Sequence, residues 1–383
     1  MRRRIHVGLD IGGTLAKVVT VMPGHLLDRV SEQFSDAVML HEKFSADEHD
    51  IKPQDLGFSN LNDTHERFEF TMFCFSSRDI SALLEFIELI LGDCGTTSPL
   101  TIPITGGGAI KFRSELKASF PEVNFLKVDE MEAVAAGFSF LVRRPNAAFI
   151  FNAAEKKRVP VPMQEVDSPF PLLLVNIGSG VSMIRIDGPG RYARVQGSPI
   201  GGGTVLGLGK ALFDASSFKE IMQLSIEGDS SRVDLSVGEL IGASPDDEFW
   251  NFNTLASSLT KLNTLERAEK VSRADLAQSL VRMVSYNIGY VAYLVSCLHD
   301  CNRIYFSGKY VNEHIPTMEA ISYAVKFYEN WKPPPAAEGS VQHDDDSPTR
   351  AEFQERKCEV RFLHHEGYVG AIGALLASRD CYT

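Results

Sequence analysis

Val7-Gly8-Leu9-Asp10-Ile11-Gly12-Gly13-Thr14, running on to Lys17, sets a glycine turn at the end of an apolar strand-like run. Three further turns are rich in glycine: Thr105-Gly106-Gly107-Gly108, Asn176-Ile177-Gly178-Ser179-Gly180-Val181-Ser182 and Gly201-Gly202-Gly203-Thr204. Glycine lets backbone N–H groups face an anion without interference from a side chain. Such turns, repeated along the chain, fit a protein that wraps a polyphosphate from several sides. The single P-loop design is excluded, because no G-x-x-x-x-G-K-[ST] occurs.

Working outward from the first turn, Ile5–Leu9 and Ala16–Val21 read as a β-hairpin, and Phe68–Phe75 as a third strand. Residues 23–66 between them are polar and read as irregular or as a hairpin extension. Asp79 is placed to cap a helix whose apolar stripe is Ile80, Leu83, Leu84, Ile87, Ile90 and Leu91. Thr101–Thr105 is a short strand, Met131–Val142 a helix, Ala147–Asn152 a strand and 153–168 a polar loop. Leu172–Val175, Ser182–Ile186 and Tyr192–Gln196 then repeat the opening strand–turn–strand plan. Asp275–Cys297 is the longest helical candidate, a core helix or a dimer helix. Residues 333–350 have the composition of a surface insertion; Glu359–Leu363 is a last strand and Val369–Ala377 a last helix. The expectation is an α/β protein of two domains, 1–168 and 169–383, with a cleft between them.

The length of 383 residues favours two domains. A net charge of −12 with pI near 5.4 argues against nucleic acid or an anionic membrane surface as the main partner. No apolar run reaches the roughly 18–20 residues needed to cross a bilayer, so membrane insertion is not expected and the cytoplasm is the expected compartment. The six cysteines form no C-x-x-C pair, and Cys297, His299 and Cys301 supply too few ligands for a metal site. His364-His365-Glu366 reads as a turn rather than a metal motif, since adjacent side chains in a strand point to opposite faces. Asn62-Asp63-Thr64 matches a glycosylation acceptor, which carries no weight without a secretory signal.

Asp10, at a strand end beside N–H donors, suits a Mg²⁺ that carries nucleotide phosphates, and Lys17 is placed to neutralise phosphate charge. Asp10-Ile11-Gly12-Gly13-Thr14 resembles the first phosphate motif of the sugar kinase, actin and heat-shock chaperone superfamily. Further blocks narrow the field. They are Thr105–Phe112, Val128-Asp129-Glu130-Met131-Glu132, Leu174–Ser182, Gly201–Leu208, Tyr286-Asn287-Ile288-Gly289 and His365-Glu366-Gly367-Tyr368-Val369-Gly370-Ala371. In this order they look like the eukaryotic-type pantothenate kinases, over almost the whole chain.

That resemblance implies an actin-like ATPase (ribonuclease H-like) fold and phosphorylation of pantothenate by ATP, with Mg²⁺, at the start of coenzyme A biosynthesis. It also implies a homodimer built on a long helix near 275–297, and inhibition by acetyl-coenzyme A or another acyl-coenzyme A. It carries over Glu130 as the catalytic base, Arg194 as the residue at the substrate and acyl-coenzyme A site, and Asp10 as the metal ligand. It implies ATP or acyl-coenzyme A contacts for Gly12, Gly13, Thr14, Lys17, Gly107, Gly108, Ser179, Ser182, Arg194, Gly202 and Gly203. Glu130 follows an apolar strand and opens a helix, whose N-terminus is expected to keep it ionised. Asp129 and Glu132 read as capping or solvated residues. For Gly201–Gly203 tight packing remains an alternative, and for Arg194 an exposed strand position. The chain departs from the family at Leu259 and Thr260, after Ala256-Ser257-Ser258, and at Gly242-Ala243-Ser244-Pro245. A sugar or other small-alcohol kinase, and a catalytically silent binder of acyl-coenzyme A or nucleotide, are the alternatives in function.

Overall fold

A computed structural model describes residues 5–34, 68–94, 100–144, 147–161, 169–242, 254–263, 271–311, 314–330, 357–364 and 367–377. The insertion at 333–350, the Asn62 acceptor, the departure at 243–245 and His365-Glu366 lie outside these residues.

The first sheet contains β1 (His6–Ile11), β2 (Leu15–Pro23), β3 (Phe68–Ser76), β4 (Thr101–Thr105) and β5 (Asn124–Lys127). Its order is β3-β2-β1-β4-β5, with β1, β2 and β3 antiparallel and β1, β4 and β5 parallel. Helix α1 (Gly24–Gln33) replaces the irregular segment expected at its start. Only Leu26, Leu27 and Val30 of this helix are buried, so its stripe is too sparse to stand out among polar neighbours. Phe34 closes it, edge-on to Phe75 at 5.8 Å. Next come α2 (Ser81–Cys94), α3 (Gly108–Lys111), α4 (Arg113–Ser119) and α5 (Glu130–Leu141). As expected, Asp79 caps α2 by accepting from the Ser81 N–H at 3.0 Å.

The second sheet takes β6 (Ala148–Asn152), β7 (Lys157–Pro160), β8 (Leu172–Ile177), β9 (Val181–Gly188) and β10 (Arg191–Ser198). The chain continues through α6 (Gly202–Phe213), α7 (Phe218–Glu227), the small ladder of β11 (Leu235–Ser236) and β12 (Leu255–Ser257), α8 (Val237–Ile241) and α9 (Arg273–Leu298). It then runs through β13 (Arg303–Ser307), α10 (Ile315–Asn330), β14 (Glu359–Leu363) and α11 (Val369–Ala377). The order β10-β9-β8-β13-β14-β6-β7 repeats the plan of the first sheet in its first five members, three antiparallel strands followed by two parallel ones. This repeat is the duplicated plan of the expected actin-like fold.

Two placements correct the division at residue 168. Residues 148–160 belong to the second sheet: β6 pairs with β14, Phe149 opposite Phe362, and carries β7 with it. The loop expected at 153–168 therefore includes a strand. The last helix, α11, lies against the first sheet, so close that a Cβ on Gly8 would sit 2.4 Å from the Ala371 carbonyl. An apolar run identifies a strand or a helix but not its distant partner, so neither placement is visible locally.

Helices α5 and α11 fill the space between the sheets. One apolar core joins Val19, Val21 and Met72 of the first sheet, Leu174, Ile184 and Ile186 of the second, and Phe138, Ile372 and Leu375 of the helices. The helices approach closely because glycines face backbone: a Cβ on Gly373 would meet the Ala133 carbonyl at 1.6 Å. The outer face of the second sheet is covered by α9, which starts in a Ser272/Asp275 capping box and buries Leu280, Val281, Val284 and Ile288. Among the described residues no helix is long and apolar enough to cross a membrane, and no cluster of three His, Cys, Asp or Glu could hold a metal ion.

Candidate active site

Parallel strands of both sheets deliver their carboxyl ends to one place, the usual position of a ligand crevice in α/β sheets. Asp10 stands near the end of β1, and its ladder partner across the hairpin is Lys17 on β2. The Lys17 Nζ lies 3.9 Å from Asp10 Oδ2. Gly12 donates to the Leu15 carbonyl at 2.8 Å, which closes the turn and leaves Gly13 and Thr14 exposed at its tip.

Two glycines bracket the Asp10 carboxylate. A Cβ on Gly106 would lie 2.7 Å from Oδ1, and one on Gly370, in the first turn of α11, 2.7 Å from Oδ2. Gly106 also has φ +84°, a conformation that side chains resist. The triple-glycine turn therefore seats the first hairpin: Gly108 rests on Ile11, while Gly107 is exposed with nothing beside it.

Glu130 is the first residue of α5. Asp129 caps the helix, accepting from the Met131 N–H at 2.9 Å and the Glu132 N–H at 3.1 Å. Water reaches the Glu130 carboxyl, yet the cleft walls partly desolvate it and hold it above the ordinary glutamate range. The negative charges of Asp10 and Asp129 push in the same direction; Arg194 and Lys17 oppose them. The net push on the Glu130 carboxyl is upward, opposite to the one the helix terminus alone would give. Asp129 takes the first free N–H groups and adds its own repulsion.

Arg194 comes from the second sheet. The ladder runs Arg194–Ile184 and then Gln196–Met183, so Val195 is an extra residue. Tyr192 and Arg194, two residues apart, share one side of β10, while Val195 packs into the core on the other side. The guanidinium lies along Gly197, where a Cβ would sit 2.7 Å from Nη2. Tyr192, not singled out by the sequence, borders the same region. Burial and the charges of Glu132 and Asp129 raise its hydroxyl.

The second glycine turn is locked onto α6. Gly202 donates to the Gly178 carbonyl and Gly203 to the Ser179 carbonyl, each at 2.9 Å. Tight packing accounts for Gly202 and Gly203, whose N–H groups are committed to the protein. Ser179 is exposed at the turn, whereas Ser182 is half-buried on β9 opposite Asn176 and Gly197. Asp10, Lys17, Glu130 and Arg194 are thus brought to one cleft, and Ser179 stands on its second-sheet side.

A sequence profile of the Fumble family matches residues 6–336. This chain belongs to the Fumble family of eukaryotic-type pantothenate kinases. It is 34% identical to pantothenate kinase 1 of Arabidopsis thaliana over 98% of this chain and 86% of that protein. It is 33% identical to Arabidopsis pantothenate kinase 2 over 97% of this chain but only 38% of that protein. A mouse relative named 4′-phosphopantetheine phosphatase is 34% identical over 80% of this chain and 34% of its own length. This chain thus spans well under half of the length of two of these three relatives. The Leu259 departure from the family pattern sits at φ +59°, with its N–H held by the buried Asp234 carboxylate at 3.0 Å.

Proposed function

We propose that the chain transfers the γ-phosphoryl group of ATP to the primary hydroxyl of pantothenate, giving ADP and 4′-phosphopantothenate. One observation carries this reading: a partly desolvated Glu130 carboxyl shares its cleft with Asp10, Lys17 and Arg194. A base whose pKa is raised toward the working pH is better matched to accepting a hydroxyl proton. Glu130 takes that proton as the new O–P bond forms and the bond to the ADP oxygen breaks. Arg194 offers a planar donor pair to the substrate carboxylate or to charge developing on the phosphoryl oxygens. Gly12, Gly13, Thr14 and Lys17 bound the phosphates from the first hairpin, Gly107 and Gly108 from the triple-glycine turn, and Ser179 and Ser182 from the second sheet.

The donor set fits Mg²⁺: one strand-end carboxylate, Asp10, with phosphate and water oxygens to complete the shell. Bound there, the ion neutralises phosphate charge. The same reading extends to inhibition by acetyl-coenzyme A or another acyl-coenzyme A at the nucleotide cleft, and to a cytoplasmic enzyme. It extends also to a homodimer through α9, where Leu294 and Leu298 are exposed.

A second reading is a binder of nucleotide or acyl-coenzyme A without transfer, since one relative that matches this chain over only 34% of its own length is named for a reaction other than phosphorylation of pantothenate. ADP release with Mg-ATP, with and without pantothenate and beside a panel of sugars, separates the two. Pantothenate-dependent release suppressed by acetyl-coenzyme A supports the kinase; binding without release supports the silent binder. Release with sugars alone transfers the same chemistry to another alcohol.

A further inference from the structure

His314 stands where the start of α10 meets α7. Its carbonyl accepts the Met318 N–H at 3.2 Å, so it caps α10 and its imidazole sits against the first turn. The ring is buried, together with Ser225 and Thr317. Nδ1 faces the Thr317 N–H at 3.3 Å and the Thr317 hydroxyl at 2.7 Å. Nε2 faces the Met222 carbonyl of α7 at 3.0 Å and the Ser225 hydroxyl at 3.1 Å, and that hydroxyl donates to the same carbonyl at 2.8 Å.

These partners fix the tautomer. A carbonyl only accepts, so Nε2 carries the hydrogen; a backbone N–H only donates, so Nδ1 is bare. With one proton the imidazole joins α7 to α10, and with two it cannot. The Thr317 hydroxyl can turn to accept, but the Thr317 N–H cannot. The added charge would also be buried at the positive end of a 16-residue helix. Burial accordingly holds the ring below the ordinary histidine range, against the opposing pull of the Met222 carbonyl.

No counter-charge stands beside the ring. Among the described residues, Lys219, Glu220 and Glu227 of α7 and Glu319 and Lys326 of α10 act on it with no ion pair. On α9, which packs against α7, Arg273 holds Glu220 at 2.7 Å, while Arg282 and Asp275 turn to Ser230 and the Asp229 N–H. Hydrogen bonds from Ser216, and then Arg273, hold the Glu220 carboxyl down to about 2, so it stays charged while the ring titrates.

We propose that His314 is an acid-sensitive latch: neutral, it ties α7 to the start of α10, and a second proton frees α7. Release reaches the β13–α10 connection, because Phe218 of α7 leans on Tyr310 with ring centres 6.0 Å apart. The latch is independent of the proposed reaction. The freed ring regains the ordinary value of 6.5 and so binds more protons than the latched one. The stability it gives is therefore full above 6.5 and is lost as pH falls through the lowered folded value.

The test is amide hydrogen exchange of the full chain at about pH 7.5 and about pH 5.5, corrected for the intrinsic rate, for the wild type and His314→Asn. A ring that stays neutral when latched and takes its proton at the ordinary value when free favours opening about tenfold at the lower pH. Amides of α7 and of the first turn of α10 should therefore lose about tenfold in protection in the wild type, while β8 keeps its own. His314→Asn retains a capping acceptor for the Thr317 N–H and cannot titrate, so its loss should stay within about twofold. An equal loss in both proteins overturns the proposal. So does equal protection of wild-type α7 at the two pH values, a result that needs no variant to fold.

Discussion

Replacing Gly370 with alanine tests the site without changing any charge. The added Cβ would stand 2.7 Å from Asp10 Oδ2 and 3.0 Å from Cγ. Ordinary contact begins near 3.4 Å, so the carboxylate must retreat by about 0.7 Å. Misplacing a reacting or charge-bearing group by about 1 Å costs on the order of 10²-fold in rate, so turnover should fall by about 10- to 100-fold. The fold should hold. The displaced atoms are the far end of a short side chain, and alanine in place of glycine within a helix returns up to about 1 kcal/mol. The assay is kcat and KM for ATP across a Mg²⁺ series, with the thermal midpoint measured beside it. The expected result is lower kcat, a raised Mg²⁺ requirement and an unchanged or higher midpoint. Gly373→Ala, three residues on, is the contrast. Its Cβ meets the Ala133 carbonyl at 1.6 Å, and neither backbone can yield without parting α5 from α11. It should destabilise by about 3 kcal/mol or more. A Gly370→Ala enzyme with wild-type turnover and Mg²⁺ dependence would refute the assignment of Asp10 to the reacting phosphates.

Three further outcomes are expected. Glu130→Ala should lower turnover by roughly 10²- to 10⁴-fold with ATP affinity retained; near-normal turnover would remove Glu130 as the base. The acidic limb of kcat/KM should lie above the ordinary glutamate value of about 4.3, and Asp129→Asn should move it down, since one of the charges raising Glu130 is gone. Because the Glu130 carboxyl is raised in the folded chain, its contribution to stability is full below its unfolded pKa and is lost as pH rises through the folded value. Glu130→Gln should therefore raise the thermal midpoint relative to wild type at pH 7 and not at pH 4, and equal differences at both would contradict the raised carboxyl.

Local chemistry decided much of this protein in advance. Glycine turns after apolar runs marked the β1–β2 hairpin and the Gly178 turn, because turn conformations and strand alternation are set within a few residues. For the same reason β14 falls at Glu359–Leu363 and α11 at Val369–Ala377, as the periodicity predicts, and Asp129 caps α5 as its position requires. Glu130, Arg194, Asp10 and Lys17 could be named from motifs. Their meeting could not, since it depends on two sheets facing one another across α5 and α11. Tertiary structure alone placed β6 beside β14, laid α11 on the first sheet, assigned the Gly202 and Gly203 N–H groups to the Gly178 turn, and raised the Glu130 carboxyl. Each of these is settled by packing, hydrogen bonding or burial between residues brought together only by the fold.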